Sequence, residues 1–108
     1  MLENCSDVVS VHVTLPAEAD ADALAQQLVE LRLAACVNVL PGVRSVYRWQ
    51  AAVEQAAEHL LLIKTTRARL AALEAALIER HSDDVPCVLV QSVEAGHAPY
   101  LAWLRAQL

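Results

Sequence analysis

Two residues in the last third of the chain carry side chains suited to binding chemistry: the His81 imidazole and the Cys87 thiol, which flank Pro86 where a loop enters a strand. An imidazole and a soft thiolate can ligate copper or zinc, provided the fold supplies the three or four donors that a tight site needs. The other imidazoles read differently. His12 and His59 lie inside strand-like runs, where packing or surface roles are expected, and His97 sits where a helix starts. Cys36, in an apolar strand, reads as a small core residue. Tyr47 and Trp49 are two residues apart, so in a strand they share one face, suited to subunit packing or to the wall of a cleft. Lys64 is the only lysine and follows the apolar run Leu60–Ile63 directly. Its ammonium either snorkels out at the strand end, pairs with Glu54 or Glu58, or ligates a small anion.

No enzyme signature accompanies these residues. The chain has no G-x-S-x-G, no H-E-x-x-H and only two glycines, Gly42 and Gly96, too few for a phosphate loop. An anion cradle after the first strand, as a small acyl phosphate hydrolase would need, is opposed by Pro16, which lacks an N–H, and by the negative Glu18. A binding role without catalysis is expected.

Composition narrows the partners. The net charge of −5 argues against a nucleic acid backbone, which requires clustered basic residues. Arg67 and Arg69 beside Lys64 form a small basic spot that reads as a solvated helix start. Three cysteines without C-x-x-C spacing neither form a disulfide framework nor make a structural zinc site, so a reducing cytoplasm is expected. Acidic Glu3 and Asp7 stand where a signal peptide carries base, and no apolar run approaches the ~18 residues that span a bilayer. The apolar fraction of 56% is high for 108 residues, even allowing for the many alanines, and points to a subunit of an oligomer.

The elements that must position the candidates follow from periodicity. Val8–Leu15 reads as a strand closed by Pro16. Acidic residues from Glu18 to Asp22 open a helix of about four turns, with Leu24, Leu28, Leu31 and Ala35 on its buried face. Cys36–Trp49 reads as one long strand bent or bulged at Pro41–Gly42. A connection over Gln50–Ala56 leads to a strand from Ala57 to Thr66, central because Leu60–Ile63 runs without alternation. Such a hairpin, about a dozen residues per arm, would overhang so small a body, and another subunit is its natural neighbour. Thr66 is expected to cap a second helix that buries Leu70, Leu73 and Leu77. Cys87–Val93 forms a last strand, Gly96 breaks the chain, and a final helix from Pro99 presents Tyr100, Leu101, Trp103, Leu104 and Leu108. The order βαββαβ plus a terminal helix predicts an α+β fold in one domain over residues 1–108: a ferredoxin-like antiparallel sheet with its helices on one face.

A series of motifs runs in order along nearly the whole chain: Leu33-Ala34-Ala35-Cys36-Val37-Asn38, Pro41-Gly42, Ser45-x-Tyr47-x-Trp49, Glu54, Lys64-Thr65, His81, Pro86 and Tyr100-x-x-Trp103. In these the chain resembles the CutA divalent-cation tolerance family. The resemblance implies a ferredoxin-like homotrimer joined through its long strands, an association with copper and other divalent cations, and similarity to the trimeric PII signalling proteins. It also exposes departures. Where some members place copper ligands, a cysteine near the end of the first strand and a His-His pair after the second helix, this chain has Val13, Arg80 and His81. The family's Trp-x-Gly becomes Trp49-Gln50-Ala51, so Ala51 is expected to use a different turn if the glycine served a positive φ. Its Pro-Glu becomes Pro86-Cys87, a softer donor that would favour Cu(I). The expectation is a trimeric CutA-like metal-response or metal-binding module in the cytoplasm. Its candidate cleft is formed by Tyr47, Trp49, Lys64, His81 and Cys87. The alternative is a PII-like regulator or scaffold that takes a small anion or a partner protein at its subunit clefts.

Overall fold

The computed structural model describes residues 1–108. Its strands and helices are β1 (Leu2–Asn4), β2 (Val8–Pro16), α1 (Ala21–Glu30), β3 (Cys36–Trp49), β4 (Ala52–Thr66), α2 (Leu70–Arg80), β5 (Val88–Ser92), β6 (Ala95–His97) and α3 (Ala98–Ala106). The main sheet has the order β3-β4-β2-β5 with every neighbouring pair antiparallel, the ferredoxin-like arrangement expected. No helix is long and apolar enough to cross a membrane.

The alternation of β2 divides the sheet into two faces. Val9, Val11, Val13 and Leu15 are buried towards the helices, while Ser10, His12 and Thr14 point the other way. On β4 the same split puts Leu61, Ile63 and Thr65 under α1 and α2 and Leu60, Leu62 and Lys64 on the opposite face, which is helix-free except at its Val8 end, where α3 packs. Leu24 and Leu28 of α1, with Leu73, Ala76 and Leu77 of α2, close the main core over that sheet. Helix α3 makes a smaller core, in which Leu101 and Leu104 pack with Val8 and Ala35.

Helix α1 is shorter than its apolar stripe predicted. Leu31 is half exposed, and Ala35 reaches its buried position from the connection to β3. The Leu33 N–H donates to the Leu28 carbonyl at 3.0 Å and the Arg32 N–H to the Val29 carbonyl at 3.0 Å, the paired bonds of a Schellman ending. Arg32 takes the left-handed conformation (φ 57°) normally given to glycine. Without a glycine to mark it, this ending leaves no signal in the sequence. The start conforms: Asp20 accepts from the Ala23 N–H at 3.0 Å and caps α1. Thr66 makes no side-chain cap, because a 3-10 turn over Arg67–Arg69 precedes α2.

The long hairpin is longer than expected. Strand β4 begins at Ala52, and the register closes at Trp49 opposite Ala52, so only Gln50 and Ala51 form the turn. Both have positive φ, 49° and 65°, as a two-residue turn that follows the strand twist demands. Ala51 therefore adopts the conformation that was expected to be avoided there. Pairing along both arms imposes it, at roughly 1–2 kcal/mol of local strain per residue. Ala51→Gly is expected to stabilise the protein by about 0.5–1 kcal/mol, read as a higher urea midpoint at fixed protein concentration, since the relieved strain exceeds the entropy glycine adds to the unfolded chain. The expected bulge is present: Leu40 faces Leu60 and Val43 faces Glu58, leaving Pro41 and Gly42 against His59, with Gly42 at φ 77°.

Strand β2 follows β4 only as far as Pro16 opposite Glu58, so Ala52–Ala56 pair with β3 alone and the hairpin projects, within overall extents of 46 × 25 × 23 Å. The termini are tied down by an unexpected second sheet of β1 and β6. Gly96 lies within it rather than breaking the chain, and a Cβ there would stand 2.9 Å from Leu101 Cδ2. Arg105 of α3 donates to both Asp7 carboxylate oxygens, at 2.8 and 3.0 Å. These bonds hold the Asp7 carboxyl below its usual range despite some desolvation. The stabilisation they give is complete above the ordinary aspartate range near ~3.9 and fades as pH falls through the lowered folded-state pKa.

Candidate functional site

Along the projecting hairpin, from Glu58 at its base to Trp49 beside its turn and on the helix-free side of the sheet, lies a cleft of about 610 Å³. One wall is strand: Ser45, Tyr47 and Trp49 of β3 alternate onto it, Glu54 and Glu58 of β4 sit beside them, and Thr14 of β2 completes it. Tyr47 stands directly opposite Glu54. The other wall is the connection from α2 to β5, which contributes Ser82, Asp83, Asp84, Val85 and Cys87. Both rings are open to it, Tyr47 at 41% and Trp49 at 49% exposure.

His81 holds that second wall in place. Its Nδ1 accepts from the Asp83 N–H at 3.0 Å, which puts the ring proton on Nε2, and Nε2 donates to the Thr14 carbonyl at 2.7 Å. Both nitrogens are thus committed to backbone groups, and the ring fastens the connection to β2.

The structure brings Tyr47, Trp49 and Cys87 into one cleft and sets His81 at its edge, but it does not bring Lys64. Ten residues along β4 separate Lys64 from Glu54, roughly 33 Å of strand, so neither predicted acid pairs with it. Its ammonium donates to the Asn38 side-chain carbonyl instead, and its strand neighbours are Ser10 and Cys36. Near Cys36, the Tyr100 phenol is pushed above its usual range, first by burial and then by the Cys36 thiol, and its ring lies 5.5 Å from that of Trp103.

The donor set does not fit a resident copper ion within one subunit. Nowhere do three of His, Cys, Asp or Glu gather closely enough to hold a metal, and the His81 ring has no nitrogen to give. At the family's other ligand positions, Val13 is fully buried on the helix side and Arg80 bonds to Gln27 and the Ala76 carbonyl. His12 lies on the helix-free face opposite Leu62 and Leu89, His59 bonds to the Ala17 carbonyl at 3.0 Å, and His97 ends β6. The lining of the cleft includes Glu54, Glu58, Asp83 and Asp84 and contains no lysine, arginine or histidine. Asp83 and Asp84 were not singled out by sequence, although an acidic pair beside Pro86 and Cys87 was there to be read.

The chain is thus a ferredoxin-like α+β domain with an overlong β3–β4 hairpin and an acidic, aromatic cleft beside it. The profile of the CutA1 divalent ion tolerance protein family matches residues 9–107, and the chain belongs to that family. It is 44% identical to the divalent-cation tolerance protein CutA of Pectobacterium atrosepticum, over 94% of this chain and 93% of that one. It is 40% identical to the chloroplastic CutA 1 of Oryza sativa subsp. japonica, over 90% of this chain and 55% of the longer rice protein. Its structure matches that of CutA from Synechococcus elongatus PCC7942 with a TM-score of 0.94 at 37% identity, covering 100% of this chain and 96% of that one. The Synechococcus protein has also been solved in complex with a Bis-Tris molecule.

Proposed function

We propose that the protein works as a homotrimeric, non-enzymatic binding module in divalent-cation tolerance. The observation that carries the assembly is apolar surface that one chain leaves uncovered on both sides of the hairpin. Leu40 and Leu89 are exposed on the helix-free face, Val46 and Val53 on the other side of the overhang, and Ala52–Ala56 have no sheet neighbour beyond β3. Neighbouring copies provide the missing contacts, and the family resemblance supports an assembly of three.

Binding rather than catalysis is supported by the committed state of His81, which leaves no imidazole free as a base for Cys87 or for the cleft hydroxyls. The Bis-Tris complex of the Synechococcus relative supports a fold that accepts small molecules. Three free thiols suit a reducing compartment such as the cytoplasm, although the rice relative is named for the chloroplast. Sedimentation velocity on the whole chain tests the assembly. A particle of three times 11.7 kDa that persists on dilution is expected, and a folded single chain at micromolar concentration would overturn the reading.

A further inference from the structure

We infer that the two ends of the chain form a clasp, in which β1, β6 and α3 open as one unit while the main sheet with α1 and α2 stays folded, and that Arg105 is the residue that holds it shut. The inference stands apart from the assembly proposed above, because every contact it uses lies within one chain.

The clasp has its own sheet and its own core. Strands β1 and β6 pair only with each other, and neither joins the main sheet. Val8 and Val9 are successive strand residues and point to opposite faces, so Val9 enters the main core while Val8 enters the smaller one with Leu101 and Leu104 of α3. The smaller core buries four residues where the main core buries thirteen. With so much less apolar burial behind it, this is the unit that opens first.

Its parts are joined to one another through the backbone. The Cys5 N–H donates to the Glu94 carbonyl at 3.0 Å and the Ala98 N–H to the Met1 carbonyl at 3.1 Å, one at each end of the β1–β6 ladder. Gly96 of β6 lies so close to α3 that a Cβ there would meet Leu101, which couples the strand to the helix. The polar ties from α3 to the body are side-chain bonds near the surface. Arg32 donates to the Gln107 carbonyl at 3.1 Å, and Arg105 donates to both oxygens of Asp7. Asp7 is anchored to the body, since its carbonyl accepts from the Arg67 N–H at 2.8 Å just beyond the end of β4. Arg105 also reaches Glu3 of β1 at 3.4 Å. One guanidinium thus fastens helix, terminal strand and body together, through a bidentate, charge-assisted contact that a single-point cation cannot copy.

Cys5 reports on the same motion. Its thiol donates to the Val93 carbonyl at 3.2 Å and packs against the smaller core, so opening of the clasp uncovers its Sγ.

Peptide-resolved hydrogen exchange on the purified full chain at neutral pH tests this. The amides of β1, β6 and α3 are expected to exchange in step, and at least about tenfold faster than those of β2 and β4. Arg105→Ala should speed exchange in all three elements by roughly threefold to tenfold, leave β2 and β4 unchanged, and speed iodoacetamide labelling of Cys5 by the same factor. Arg105→Lys should have a smaller effect, because an ammonium keeps the charge and loses the fork. Gly96→Ala opens the clasp by a second route, forcing a Cβ against Leu101, and should act on the same three elements. Exchange of α3 in step with β2 and β4, exchange of β1 at a rate unrelated to that of α3, or exchange and Cys5 labelling unchanged in both Arg105→Ala and Gly96→Ala would each overturn the inference.

Discussion

Leu62→Glu is expected to reduce the particle to single chains while leaving each chain folded. Leu62 lies mid-strand on β4, opposite His12 on one side and Asn38 on the other, and shares the helix-free face with Leu60. The smaller core reaches that face only at its Val8 end, where Leu101 and Leu104 pack, and Leu62 itself is only half-buried, so a carboxylate there meets water when the chain is alone. In the proposed trimer the same carboxylate would be buried against apolar surface, once per copy, at several kcal/mol each. Every ~1.4 kcal/mol is a factor of ten in association, so the trimer should be lost at any practical concentration. Ile78→Glu supplies the control. Ile78 is 56% exposed on α2, away from the helix-free face, and its replacement should leave the mass unchanged. If Leu62→Glu sediments like the wild type, the helix-free face is not where the copies meet.

The parts of the fold that sequence revealed are those in which periodicity and burial agree. Val9, Val11, Val13 and Leu15 alternate in sequence and in burial, and Leu73 and Leu77 recur at helical spacing and are buried. Pro41–Gly42 announced its bulge through residues that cannot continue a ladder. The misses share a cause, which is structure imposed from a distance. Ala52–Ala57 is rich in alanine with Glu54 and Gln55, poor strand formers, and it is extended because β3 pairs along its length. Strands β1 and β6 are three residues each, too short for any period, and they join opposite ends of the chain. The end of α1 depends on a left-handed arginine, invisible to a reader who looks for glycine there.

The site was legible to the extent that its residues share an element. The two-residue spacing of Tyr47 and Trp49 placed both rings on one face, and Cys87 was rightly put at the loop-to-strand junction that walls the cleft. Lys64 was misplaced because adjacency to an apolar run does not say which end of a long strand a residue occupies. Only the register with Cys36 and Ser10 shows that it lies at the end remote from the hairpin tip. His81 was read from its side-chain chemistry alone, whereas its role is decided by two backbone groups, at Thr14 and Asp83, whose approach depends on the folded chain. The acidic character of the cleft was dispersed in sequence, since Glu54 and Glu58 are separated from Asp83 and Asp84 by the whole of α2.

Leu61→Ala should give the opposite result from its neighbour: an unchanged mass with a loss of about 2–5 kcal/mol in stability per chain. Leu61 is fully buried beneath the helices, in the strand that lies between β2 and β3, with Val13 and Val39 directly opposite. Truncation removes transfer free energy and leaves a cavity that a sheet pinned on both sides cannot collapse to fill. Because dissociation and unfolding are linked in an oligomer, the urea midpoints of the variant and the wild type must be compared at one chain concentration. The pair of variants also tests the strand register itself, since a slip of one residue would exchange the two faces of β4. Should Leu61→Ala dissociate the particle without lowering the midpoint, and Leu62→Glu unfold it, the division of this strand between core and interface is reversed.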